Sequence, residues 1–206
     1  MIRNILFDMG NVLIRFAPDV FIRRAGITDE ADRDLLLREV YRSVEWVELD
    51  RGLLTDGEAL VSICARLPER LHPAAEKLVT HWDRPPLPVE GMEELAEELR
   101  NAGYELYLLT NAGLRHREYW PRFSVSRLFP PERVFLSAEW KLLKPEPAFF
   151  RQALEHFGLR AEECVFIDDF PLNVEAAVRA GVRGAVFHGS APLLRETLRA
   201  MGVREV

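Results

Sequence analysis

The chain has 206 residues, 48% hydrophobic and 29% charged, with a formal net charge of −6. That length can bury a sizeable core, as one large domain or a domain carrying a substantial insert. The acidic balance leaves no basic footprint, so duplex nucleic acid is excluded as an expected partner, and no apolar run reaches bilayer-spanning length.

The first element is Ile5-Leu6-Phe7, a short apolar run that reads as a buried parallel strand. It ends in Asp8, with Gly10 two residues later to let the backbone turn sharply or approach a ligand. No basic, apolar and cleavable leader precedes it, and a cytoplasmic protein is expected. From residue 16 to 87 the pattern becomes helical. Phe21–Ala25 and Leu35–Val40 have helical spacing, and Thr28, followed by Asp29 and Glu30, reads as a capped start. Trp46–Gly52 reads as a helix end and turn, and Thr55-Asp56-Gly57-Glu58 spells a capping box. Another helix is expected from Pro73 to Trp82, with proline in its first turn. Arg84-Pro85-Pro86-Leu87-Pro88 admits neither helix nor central strand and reads as a linker.

Beyond Val89, helices and strands alternate. Met92–Asn101 is an amphipathic helix closed by Gly103, and Tyr104–Leu109 is a strand ending in Thr110-Asn111. An aromatic-rich helical stretch follows around His116, Tyr119 and Trp120, and Val134–Leu136 is a short strand. Pro147–Phe157 is a helix, Val165–Ile167 a strand ending in Asp168-Asp169, and Val174–Arg179 a helix closed by Gly181. Val182–Phe187 is the last strand, and Ser190 and Pro192 open a terminal helix. This alternation predicts an α/β fold with a doubly wound parallel sheet. Residues 1–15 and 88–206 would form a Rossmann-like core, with residues 16–87 an inserted helical cap. Cys64 and Cys164, far apart within apolar patterns, read as core residues and not as a disulfide framework.

Three strands finish in polar groups: Asp8, Thr110 and the pair Asp168-Asp169. In a parallel sheet those ends share one edge, where ligands collect. Pro145 biases Lys144 away from helix, which would hold its ammonium at the same mouth. Each piece has an ordinary counterpart: a turn-initiating aspartate, a strand-ending threonine, a solvated loop lysine. Their co-occurrence at the expected edges favours one shared site. Clustered carboxylates need a compensating cation, and an all-oxygen ligand set suits Mg2+. With Lys144 and Thr110 they would cradle a phosphoryl group, and Asp8 could attack phosphorus to form an aspartyl-phosphate that water hydrolyses.

The motifs Phe7-Asp8-Met9-Gly10-Asn11-Val12-Leu13, Leu109-Thr110-Asn111, Lys144-Pro145 and Phe166-Ile167-Asp168-Asp169 through Ala177 resemble the haloacid dehalogenase superfamily over nearly the whole chain. The resemblance implies Asp8 as nucleophile and magnesium held by Asp8, the Gly10 carbonyl and Asp169, with Asp168 an additional or outlying carboxylate. It implies Thr110 and Lys144 on the phosphoryl oxygens, with Lys144 also steadying Asp8, and a type-one cap. The start Asp8-x-Gly10-Asn11-Val12 and the run Asn111, His116, Trp120, Pro121 look like the sugar-phosphate phosphatases typified by α-D-glucose-1-phosphate phosphatase.

One departure stands out. Most phosphatases of that superfamily carry a second aspartate two residues after the nucleophile, as general acid and then base; here Gly10 occupies that position. Two alternatives to a phosphatase follow: an idle binding or regulatory protein with the same fold, and a metal-free 2-haloacid dehalogenase. The expected ligand is a small phosphorylated metabolite, met by a monomer or homodimer. Arg15, Phe16, Trp46 and Glu48, with Asn111, Arg115 and His116 from the core, are the candidates to face it. For Phe16 and Trp46 core packing is the stronger reading, and His116 reads equally well as a surface histidine.

Overall fold

The structure, a computed structural model, describes residues 1–204. Strand β1 (Asn4–Phe7) leads into five α-helices, α1 (Pro18–Arg24), α2 (Glu30–Leu36), α3 (Val44–Asp50), α4 (Asp56–Cys64) and α5 (His72–Thr80). Then follow α6 (Met92–Asn101), β2 (Glu105–Thr110), α7 (His116–Tyr119), β3 (Val134–Leu136), α8 (Ser137–Trp140) and α9 (Pro147–Phe157). The chain closes with β4 (Cys164–Asp168), α10 (Pro171–Arg179), β5 (Arg183–Val186) and α11 (Ala191–Ala200).

The five strands form one parallel sheet in the order β3-β2-β1-β4-β5. All four residues of β1 are buried, as expected for a central strand covered on both faces. Its side chains alternate between two cores. Leu6 joins Leu109, Phe135 and Phe166 under Phe149, Phe150 and Ala177 of α9 and α10. Ile5 and Phe7 join Leu106, Leu108, Val165 and Ile167 under Met92, Leu95 and Leu99 of α6 and Leu194 and Leu198 of α11. This period of two is what a strand imposes on its side chains. Helices therefore cover both faces of a doubly wound sheet.

Order around β1 positions the site. The chain runs out to β2 and β3 on one side and to β4 and β5 on the other, so β1 lies at the switch point where a crevice opens past the strand ends. Phe7 pairs with Leu108 and with Ile167, so Asp8, Asn111 and Asp168-Asp169 leave the sheet at one edge.

The helices between β1 and β2 continue the second core, through Phe21, Ile22, Leu36, Ala59, Ile63 and Leu78. Rings of Phe16, Phe21, Tyr41, Trp46 and Trp82 pack edge-on or tilted, with centroids 4.7–6.2 Å apart. Tyr119, from the sheet side, meets Trp82 at 4.9 Å. Local signals here differ from the sequence reading at one cap: Asp29, not Thr28, accepts the Asp32 N–H at 3.0 Å and starts α2. The capping box at Thr55 is present, each partner bonding the other's backbone N–H. Cys64 and Cys164 are both free thiols. Among the described residues, no helix is long and apolar enough to cross a membrane.

Candidate active site

Asp8 follows β1 directly, and its backbone N–H donates to the Ile167 carbonyl at 2.8 Å, which ties it to the neighbouring strand. Lys144 reaches the same spot from the loop before α9. Its Nζ donates to Asp8 Oδ1 at 2.6 Å, to Asp168 Oδ2 at 2.7 Å and to the Leu109 carbonyl at 3.1 Å. All three ammonium protons are thereby placed. Burial alone would lower the Lys144 pKa, but Asp8 and Asp168 outweigh it and hold the ammonium above its ordinary value. Burial pushes the Asp8 carboxyl up, with Asp168 adding to that and Lys144 pulling it back.

Asp168 is fully buried and its oxygens are taken. Oδ1 accepts the Phe170 N–H at 2.8 Å and the Asn173 amide at 3.1 Å, while Oδ2 accepts Lys144 and the same amide at 3.0 Å. Asp169 is half-buried, and its carboxyl is raised by burial and by Asp168 against a hydrogen bond from the Asn11 side chain. Asn11 also accepts the Phe16 N–H at 3.0 Å and adopts φ +54°, a left-handed conformation that asparagine tolerates.

Asp8, Asp168 and Asp169 bring carboxylate oxygens within 4.8 Å of one another. Three acids this close fit a hard divalent cation with oxygen ligands. The hydrogen bonds divide the labour: Asp168 is saturated, so Asp8 and Asp169 are the side chains with oxygens to offer, beside the Gly10 backbone. A cavity of about 220 Å³ opens above them. Asp8, Gly10, Asn111, Lys144 and Asp169 form its polar end, and Phe16, Trp46, Leu49, Val79, Trp82 and Tyr119 its apolar wall. Asp50, Asp56 and Arg115 also line it, Arg115 Nε lying 3.3 Å from Asp56 across the gap between α7 and α4.

Residues 2–181 match the family model for haloacid dehalogenase-like hydrolases. The chain belongs to this family. It is 27% identical to the sesquiterpene phosphatase astK of Aspergillus oryzae over 188 residues, covering 87% of this chain and 86% of that protein. It is 28% identical to flavin mononucleotide hydrolase 1 of Arabidopsis thaliana over 108 residues, 52% of this chain and 43% of that protein. Against several curated relatives the match spans less than half of their length. In fold the chain is similar to a HAD family enzyme from Bacteroides thetaiotaomicron in complex with magnesium and inorganic phosphate. Their TM-score is 0.69 at 24% identity, covering 92% of this chain and 96% of that one.

Within this haloacid dehalogenase-like frame, the structure gathers Asp8, Gly10, Asn111, Lys144, Asp168 and Asp169 at one edge of the sheet. Asn111, besides lining the cavity as a residue expected to face the ligand would, has a structural part. Its carboxamide accepts the Lys144 N–H at 2.9 Å and donates to the Lys144 carbonyl at 3.0 Å, clamping the backbone that delivers the ammonium. Thr110 is buried at the end of β2 and does not line the cavity.

His116 corrects the expectation of a ligand-facing or surface histidine. It is fully buried, stacked on Trp120 at 5.5 Å, and absent from the cavity wall. Among the described residues neither ring nitrogen has a hydrogen-bond partner, and burial pulls its pKa down to about 3, so the ring stays neutral. Of the candidates nearer the N-terminus, Phe16 and Trp46 do line the cavity, whereas Arg15 and Glu48 do not. Both aromatics also belong to the packed ring cluster, as the core-packing reading of them expects.

Asn173 belongs to the motif that carries the family resemblance but was given no role there; it sits in the first turn of α10, five residues beyond the acid it holds. Asp50 had no place among the site residues. Asp50 is the last residue of α3, where the helix dipole disfavours an anion. An acid in that unfavourable place was the available signal.

Proposed function

We propose that this protein is a magnesium-dependent phosphatase acting on a small phosphorylated metabolite, a sugar phosphate for preference, through an aspartyl-phosphate on Asp8. The observation that carries the reading is Lys144 bridging Asp8 and Asp168 with Asp169 alongside. Such an arrangement neutralises a carboxylate nucleophile and the dianion it must approach.

In this reading Asp8, Asp169 and the Gly10 carbonyl hold the cation, which supplies charge neutralisation at the phosphoryl oxygens. Asp8 Oδ2, left open by the Lys144 bond to Oδ1, is the attacking oxygen. Lys144 holds that carboxylate in one orientation and favours its ionised form against the effect of burial. Asn173 and the Phe170 N–H fix Asp168, which in turn fixes Lys144. Residues 16–87 act as the cap, closing an apolar wall over the site so that bulk water is excluded during transfer. A cavity of about 220 Å³ lies below the ~300–1,000 Å³ usual for drug-sized ligands, which suits a small leaving group.

The test is p-nitrophenyl phosphate with magnesium, then a panel of phosphorylated metabolites. Phosphate release that Asp8→Asn abolishes is the expected result, with hexose phosphates ranking above nucleotides. Nucleotides ranking first would defeat the sugar-phosphate part. No release from any activated or sugar phosphate would favour the idle protein that Gly10 suggests. Chloride release from 2-chloropropionate without metal would favour a dehalogenase.

A further inference from the structure

Gly10 has no side chain to carry a proton, yet an alkyl phosphate needs one delivered to its leaving oxygen. General acid–base help of that kind is worth ~10²–10⁴-fold. Asp50 is one of two cap carboxyls on the same cavity as Asp8, with Asp56, and it lies at the end of α3, where the insert meets the core. Two contacts hold it there: the Ser137 hydroxyl donates to its backbone carbonyl at 2.5 Å, and the Gly113 N–H bonds its carboxyl. The next glycine, Gly52, touches the backbone of Ala138 so closely that a Cβ would lie 2.2 Å from the carbonyl oxygen. Both Gly113 and Ala138 belong to the core, so the acid's position is referenced to the strand ends and not only to the cap.

We propose that Asp50, supplied by the cap, is the general acid and then base of the reaction, standing in for the side chain that Gly10 lacks. The proposal rests on the phosphatase reading above. In the first step Asp8 Oδ2 bonds to phosphorus, the ester P–O bond breaks, and the leaving oxygen takes the proton of the Asp50 carboxyl. In the second, the Asp50 carboxylate takes a proton from water as the water oxygen bonds to phosphorus. The Asp8–phosphorus bond breaks, and inorganic phosphate leaves with Asp8 ionised and Asp50 protonated again.

The charges around Asp50 permit both roles. Burial raises its carboxyl to about 7, Asp8 adds to that, and the Gly113 N–H and Lys144 oppose it. Tyr119 faces it from α7 as a neutral phenol, held far above its usual pKa by burial and by Asp50 itself. Arg115 and Asp56 line the same wall but pair with each other. Of the cavity acids beyond the cation site, Asp50 is the one without a cationic partner in hydrogen-bond contact among the described residues.

The test compares p-nitrophenyl phosphate, whose leaving group needs no proton, with an alkyl phosphate. Asp50→Asn keeps an acceptor for the Gly113 N–H, and it is expected to lose at least 10²-fold on the alkyl ester, while the first-turnover burst of nitrophenol, a step that needs no proton, stays within a few-fold and later turnovers slow for want of the base. A Cβ at Gly10 would meet only Asp8 Oδ2, at 4.0 Å, so an aspartate fits there. Adding Gly10→Asp to Asp50→Asn is expected to recover the alkyl rate. Equal loss on the alkyl ester and on the nitrophenol burst, an unchanged alkyl rate, or no recovery overturns the proposal. A measurement on the unaltered protein guards against misfolding: its rates across substituted phenyl and alkyl phosphates should depend only weakly on leaving-group pKa, and a steep dependence overturns the proposal too. Asp8-dependent turnover of the nitrophenyl ester in all these variants shows that the phosphatase reading stands whichever way Asp50 falls.

Discussion

Removing the Lys144 ammonium leaves Asp8 and Asp168 buried side by side with no cation between them. Breaking a buried pair by deleting one partner costs about 3–5 kcal/mol. Lys144→Met should lose that much by urea unfolding at neutral pH, and magnesium should restore part of it by replacing the missing charge. Asp50 shifts stability the other way. Its folded carboxyl titrates near 7 against 3.8 for an ordinary aspartate, so between those values the folded state keeps a proton that the unfolded chain has lost. Stability from this group therefore falls as pH rises through that window. Asp50→Asn removes the effect. The variant should gain on the parent between pH 4 and pH 8, by on the order of 1–3 kcal/mol, the acid's access to the cavity moderating a full burial cost. A gain in stability with a loss of alkyl phosphatase activity is the pattern expected of a strained functional group.

At the scale of elements, two joints decide whether cap and core stay in register. Gly52 has φ +71° and its Cα is packed against the Ala138 backbone. Gly52→Ala meets both a disfavoured conformation and a backbone clash, which nothing flexible can relieve. It should cost ~2 kcal/mol or more, and it should lower turnover further than the stability loss accounts for, because α3 and Asp50 must move off the core. Thr55 is a milder joint. Thr55→Ala removes one half of the capping box of α4 and should cost ~1 kcal/mol, read as a thermal shift, with kcat little changed because Thr55 itself does not line the cavity. Arg51 pairs with Glu146 across the same boundary and also donates to the Lys141 carbonyl at 3.3 Å. That exposed contact adds little by itself.

In the proposed reading the whole molecule responds to magnesium through the strand ends. A ligand that binds only the folded state stabilises it by RT ln(1 + [L]/Kd), about 2.7 kcal/mol at a hundredfold excess over Kd. Magnesium titration should raise the melting temperature of the parent, and Asp169→Asn should abolish the rise, although Asp169 lies in neither β1 nor the cap. Chelation should remove the shift reversibly. Failure of magnesium to move the transition at millimolar concentration would count against the cation site.

What the chain's own pattern determined was local and periodic. Buried strands show as short apolar runs, helices as spaced apolar faces with caps, and the alternation of the two after Val89 dictates a parallel sheet whose polar strand ends share an edge. Asp8, Asp168 and Asp169 were legible because each sits where a strand stops, and Lys144 because Pro145 keeps it out of the following helix. Side-chain partners are not periodic, and they were not legible. Which oxygen of Asp168 Lys144 takes, that Asn111 clamps the lysine backbone, and that His116 turns into the core against Trp120 all depend on how helices pack across the sheet. Asp50 is the sharpest case: only the seating of α3 on Gly113 and Ala138 brings a cap acid to the cavity, because contacts between residues far apart in sequence are fixed by packing and not by spacing.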